Sequence, residues 1–353
     1  MKVSASAQST DPSYYSSKSK LTTRPIAATI ILFGGIGALA LALAWAISVG
    51  VANIDFITVW TAVFHYDPSQ NQHRIIHELR LPRALLSAVV GAAFAVAGAI
   101  MQGMTRNPLA DSGLLGINSG AAFVLALCIA ISPSISPFNL TLFAFIGAGL
   151  GAGIVFGIGS LSRTGLTPIR LALSGAAVSA LLLAITEGIA IQFNIGRDLA
   201  FWYAGAVAGT RWVHFNMVFP WVIGALIVAF LLSRSITILS LGDEVAANLG
   251  QRTRIVKIIA SIAVLILAGA SVSVVGSIGF VGLIIPHVTR FLVGVDYRWI
   301  IPCSAVLGSI FLVLADIGAR MIYAPAETPI GVLVALIGVP FFLYLTRRTG
   351  RGM

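Results

Sequence analysis

Uninterrupted apolar runs of about 20 residues, each long enough to cross a bilayer core, recur along nearly the whole chain. Marked by their polar interruptions they number about ten: Ile26–Val49, Leu81–Met104, Gly113–Ile131, Phe138–Leu161, Ile169–Phe193, Val213–Leu232, Ile255–Val275, Phe280–Phe291, Ile300–Ile322 and Pro329–Leu345. Only 10% of the 353 residues are charged, against about 25% in a soluble domain. The chain therefore reads as all-α and polytopic. Its 36 glycines suit close helix approach in lipid. The eighth run is short, and "IIPHVTR" at its end predicts a tilt or a break at Pro286.

Residues 1–25 form a polar, Ser/Lys-rich tail of disordered composition, residues 26–346 the membrane domain, and residues 347–353 a second tail. The first run exceeds the roughly 7–15 residues of a signal h-region and reads as an uncleaved span. With the amino terminus inside, Lys2, Lys18, Lys20, Arg24, Arg106, Arg163, Arg170, Arg234, Arg252, Arg254, Lys257, Arg290, Arg298, Arg347, Arg348 and Arg351 are all internal. Arg74, Arg80, Arg83, Arg197, Arg211 and Arg320 are external. That asymmetry puts both termini in the cytoplasm. It also accounts for the net charge of +10 by topology rather than by nucleic acid.

Three interruptions exceed simple turns. Residues 50–80 are external and long enough for a surface helix. Residues 194–216, also external, contain "DLAFWYAGAV", a candidate interfacial helix with its aromatics at headgroup level. Residues 233–257 are internal and hold "LGDEVAANLGQ". There Gly242 breaks the preceding span, Asp243 and Glu244 fall in a first helical turn that favours negative charge, and Gly250 is placed to end the helix. A capped helix between two spans offers a shape that another protein can grip.

Other chemistry is sparse. Gly-Lys does not occur, so there is no GxxxxGK[ST] phosphate loop. "LSGAA" at 173–177 lies inside an apolar run and reads as span packing. His73 and His77 could form half a metal site, but without further ligands they read as surface polarity. Cys128 and Cys303 read as buried small hydrophobes. Intramembrane carboxylates face a bundle interior or an aqueous path. Asp316 reads as the i,i+4 partner of Arg320. Glu187 and Gln192 either line a polar path or pack in the core. Arg80 and Arg83, at the lip of the second span, either anchor it at the membrane surface or are held out to another protein.

Four segments carry a resemblance: "LRLPRALLSAVVGAAFAVAGAIMQGMTRNPLADSGLLGINSGAA", "SLGDEVAANLG", "GSIGFVGLIIPHVTRFLVG" and "LADIGARMIYAPAETPIGVLVALIGVPFFLYL". In this order the chain resembles the permeases of binding-protein-dependent ABC importers for iron-siderophore complexes and vitamin B12, from the first span to the carboxyl terminus. The resemblance implies a type II ABC importer permease of ten spans, paired with a second, identical or similar permease around a central path. It implies an ATPase dimer inside and no cofactor in this chain. Arg80, Arg83 and Arg320 match the family's outer arginines, which engage acidic residues of the binding protein. Leu241, Gly242, Asp243, Glu244, Ala247, Leu249 and Gly250 match the helix that couples to the ATPase. Asn107 and Leu109 match part of the inner gate; Pro168, in the other gate loop, departs from the pattern.

"GDEVAANLGQRT", "RFLVGVDYRWIIPCS" and "ETPIGVLVALIGVPFFLYL" are most similar to Gram-positive iron-siderophore permeases, whose binding protein is a tethered lipoprotein. Haem and vitamin B12 remain alternative cargoes. A proton-coupled carrier is the competitor from another class, disfavoured by the few membrane carboxylates and the capped inner helix. A membrane enzyme is the third reading, with no nucleophile–base or metal set to support it.

Overall fold

The computed structural model describes residues 23–50, 54–160, 168–323 and 326–349. Arg163, Thr167, Arg351 and nearly all of the amino-terminal tail, with Lys2, Lys18 and Lys20, lie outside the described residues. Every regular element among the described residues is helical. In chain order these are α1 (Pro25–Ser48), α2 (Phe56–Phe64), α3 (Asn71–Ile75), α4 (Leu81–Thr105), α5 (Ile117–Ile131), α6 (Pro137–Ser160) and α7 (Pro168–Gln192). There follow α8 (Gly196–Ala204), α9 (Trp212–Leu239), α10 (Asp243–Asn248), α11 (Thr253–Val275), α12 (Val281–Val293), α13 (Tyr297–Ile322) and α14 (Ile330–Thr349). Among the described residues, seven helical stretches are long and apolar enough to cross a membrane; the shorter apolar helices Ile117–Ile131, Val281–Val293 and Ile330–Leu345 bring the set to ten.

A helix apolar on every side lies either within a protein core or against lipid. In α4, 89% of the most apolar window is buried, with α13, α12, α11 and α9 around it. Small residues permit the approach. A methyl group at Gly91 would run into the Gly308 carbonyl of α13, and one at Gly98 into the Gly282 carbonyl of α12. α1 and α7 are peripheral instead, with little of their surface covered.

Of the tilt or break expected at Pro286, the break does not occur, and α12 runs through it. Proline lacks the N–H that would reach the carbonyl four residues back, here Gly282. That oxygen accepts instead from Gln102 Nε2 of α4, at 3.1 Å. A neighbouring helix thus supplies the missing donor.

Three boundaries shift. The third span begins at Ile117 because residues Ser112–Leu115 form a 3-10 turn that ends on Gly116 at φ 71°. The sixth continues to Leu239, well past Leu232. The ninth starts at Tyr297, where the Asp296 carboxylate accepts from the Arg298 amide as an N-cap. Asp296 also receives Thr237 Oγ1 of α9 at 3.2 Å, tying the end of α9 to the start of α13.

Both long outer segments contain helices: α2 and α3 in the first, α8 in the second. His73 is buried and its Nδ1 accepts from the Asp67 amide. The His77 ring lies against Tyr66 and Trp212. The two imidazoles therefore have separate structural partners.

Candidate functional site

The chain from Ile76 to Arg80 makes a π-helical turn that feeds into α4. Arg80 and Arg83 consequently serve different neighbours, although three residues apart. Arg80 Nη1 donates to the Ile47 and Ser48 carbonyls at 2.7 and 2.8 Å. From α13, Arg320 Nη1 donates to the Ala46 and Val49 carbonyls at 2.9 and 3.1 Å. Two guanidiniums thus close the carboxyl-terminal end of α1, where unpaired carbonyls favour cations.

Arg83 turns the other way. Its Nη2 donates to Asp316 Oδ1 at 2.8 Å and its Nε to the same carboxylate at 3.1 Å. Its Nη1 donates to Glu327 Oε1 at 2.6 Å. Asp316 meets Arg320 Nη2 at 3.0 Å, the pairing that the i,i+4 spacing predicts. The side chains of Asp316 and Arg320 are 2% and 8% exposed, whereas that of Glu327 is 40% exposed. The structure brings all three predicted arginines together, in an ionic cluster turned inward. Glu327 was not singled out from sequence; an acid directly after the ninth span, in "AETPIG", is the available signal.

At the opposite end, α10 projects between α9 and α11. Gly242 precedes it at φ 128° and Gly250 follows at φ 79°, conformations that favour glycine. Leu241, Val245 and Leu249 are exposed; Leu241 immediately precedes the Gly242 turn, and Val245 and Leu249 are four apart, in the helix and at its C-cap. Ala247 and Glu244 are exposed too. Asp243 is held by Lys257 at 2.8 Å and approached by Arg106 at 4.0 Å. Lys257 and Arg106 come from α11 and the end of α4. Beside Arg106, Asn107 Oδ1 accepts from the Leu109 amide at 2.9 Å, which fixes the turn of that loop.

Glu187 and Gln192 lie exposed near the end of α7. Burial first, and the negative charge of Glu187 second, push the Tyr203 phenol of α8 up. An outer groove of about 620 Å³ runs beside Arg74, Glu78, Arg211 and Trp212; none of the predicted site residues lines it.

Comparison with known proteins follows the same lines. The profile of the FecCD transport family matches residues 38–348. The chain is 54% identical to the iron(3+)-hydroxamate import system permease protein FhuB of Bacillus subtilis (strain 168), over 94% of this chain and 86% of that protein. It is 43% identical to the Fe(3+)-citrate import system permease protein YfmD of the same organism, over 96% and 99% of the two chains. Among solved structures, a metal-chelate type ABC transporter in an inward-facing conformation superposes with a TM-score of 0.80 at 29% identity, covering 91% of this chain and 99% of the other.

Proposed function

The chain belongs to the FecCD transport family, and from that premise we propose that it is the permease subunit of an ABC importer that carries iron(III)-siderophore complexes across the plasma membrane. It is a multi-pass transport subunit, with ATP hydrolysis left to a partner. The observation that carries the reading is the 54% identity, over 94% of the chain, to an iron(3+)-hydroxamate permease. The lower figure for the citrate permease favours a hydroxamate cargo.

The partners follow from the family: an ATPase dimer, a second permease and a substrate-binding lipoprotein. Lys and Arg asymmetry puts both termini in the cytoplasm. The Leu241–Gly250 segment then faces inward, and the exposed apolar residues Leu241, Val245 and Leu249 suit a groove on the ATPase. Asn107 and Leu109 belong to the inner gate, and Glu187 and Gln192 to the path. At the outer lip, Arg80, Arg83 and Arg320 receive acidic side chains of the binding protein. Arg83 and Arg320 meet Asp316 and Glu327 there, with Arg80 beside them on main-chain carbonyls, and this gathering of guanidiniums supports a cationic lip.

The test is reconstitution. Expressed with its genetic neighbours, the chain should co-purify with an ATPase and restore uptake of radiolabelled iron in a strain lacking such importers. Uptake of ferric hydroxamates should exceed that of ferric citrate. Citrate-only uptake would refute the cargo class, and uptake without any ATPase would refute the transporter class.

A further inference from the structure

The outer cluster contains two kinds of contact. Arg80 and Arg320 are spent on main-chain carbonyls that end α1, and releasing them would strand buried acceptors. Asp316 sits within α13, 2% exposed, and receives both Arg83 and Arg320. Glu327 differs in every respect. It lies between α13 and α14, is 40% exposed, and holds Arg83 through one contact at 2.6 Å. The Arg83 guanidinium therefore has an anchored edge, Nε and Nη2 on Asp316, and an outer edge, Nη1 on Glu327.

Resting on the docking role proposed for Arg83, we infer that Glu327 is a built-in stand-in for the binding protein's carboxylate, holding the outer edge of Arg83 until docking displaces it. An arriving carboxylate needs the same Nη1 edge. Of the two acids on Arg83, only Glu327 can leave into water at low cost, because exposed ion pairs are weak and buried ones are not. Docking is then an exchange of one carboxylate for another. The exchange reaches further than the lip. Thr328 N donates to the Ala319 carbonyl at 3.2 Å, and Gly331 N to the Gly205 carbonyl at 3.3 Å. The displaced residue is thus three positions from the start of α14 and four from its tie to the turn that ends α8. Docking thereby acts on the beginning of α14.

The experiment uses the assembled transporter, with its ATPase, in lipid nanodiscs, titrated with cargo-loaded binding protein. Wild type, Glu327→Gln, Arg83→Gln and the double variant are compared. Arg83→Gln should weaken docking. Glu327→Gln should tighten it by about two- to tenfold, the scale of an exposed to half-buried ion pair. In the Arg83→Gln background, Glu327→Gln should change affinity less than about twofold, because Glu327 acts through Arg83. Unchanged or weaker docking by Glu327→Gln overturns the inference while leaving the docking role of Arg83 intact. An equal gain in both backgrounds also overturns it, because that pattern is general charge repulsion. Wild-type affinity in Arg83→Gln removes the docking role itself. Should Glu327→Gln fail to assemble, Glu327→Asp, one methylene shorter, must tighten docking or the inference falls.

Discussion

Arg83 and Asp316 are 233 residues apart in sequence, yet their side chains meet at 2.8 Å with Asp316 2% exposed. The pair joins the start of α4 to the last turns of α13, and Arg320 extends it to the end of α1. Asp316→Asn would leave two largely buried guanidiniums around a neutral amide. Removing one member of a buried ion pair costs about 3–5 kcal/mol. The thermal midpoint of the detergent-purified complex should therefore fall by several degrees. An unshifted midpoint would mean that the cluster is more hydrated than its burial implies.

Gln102 and Pro286 give a second test. Gln102→Leu removes the donor to the Gly282 carbonyl, and an unsatisfied buried acceptor costs about 1–3 kcal/mol. Pro286→Ala restores a local N–H to the same oxygen. The glutamine substitution should therefore cost less in the Pro286→Ala background, as read from a double-mutant cycle in denaturation midpoints. Any cost that persists belongs to the other bonds of Gln102, its Nε2 to the Leu283 carbonyl at 3.4 Å and its Oε1 from Arg290 Nη2 at 3.1 Å. Identical costs in both backgrounds would disprove the donor substitution.

These two contacts mark what was legible in sequence. Periodic apolar runs gave the ten spans, because hydrocarbon leaves a membrane chain little choice but helix. The Gly242 and Gly250 boundaries of α10 were readable because a special backbone conformation needs a special residue. Asp316 with Arg320 was readable at i,i+4; Arg83 with Asp316 was not, since local spacing carries no record of a partner 233 residues away. Pro286 predicted a tilt or a break on local rules; the helix continues through it, and the missing donor comes from another helix. Glu327 was missed because a lone acid in a connection resembles ordinary solvation.

The inner helix α10 separates two roles within one acidic pair. Asp243 is bound to Lys257 at 2.8 Å, so a lysine there would disturb the fold as well as any interface. Glu244 is exposed and outside every ion pair found among the described residues. Leu249 is 64% exposed. Leu249→Asp and Glu244→Lys should therefore leave insertion and thermal stability unchanged while reducing co-purification of the ATPase. For Leu249→Asp a loss of about 2 kcal/mol or more, some thirtyfold in affinity, is the scale of an anchor residue at an interface. Full coupling of hydrolysis to uptake in both variants would remove α10 from the ATPase contact.

Glu187 lies five residues from the last residue of α7, about 7 Å along the helix axis. It is exposed, and so are Ile185 and Ile191 on the same helix. A carboxylate facing lipid is penalised, by about 2.5–3.5 kcal/mol at a helix centre and by less toward an end, and water in a central path would relieve that penalty. Tyr203 of α8 lies within its electrostatic reach, which puts a phenol from a second helix in its neighbourhood. With Cys128 and Cys303 first replaced, cysteine at position 187 or 192 should react with a charged, membrane-impermeant thiol reagent added from outside. A docked binding protein should slow that reaction at least tenfold by covering the entrance. Complete protection of both positions in every state of the transport cycle would return them to helix packing, and the path would have to be lined by other residues.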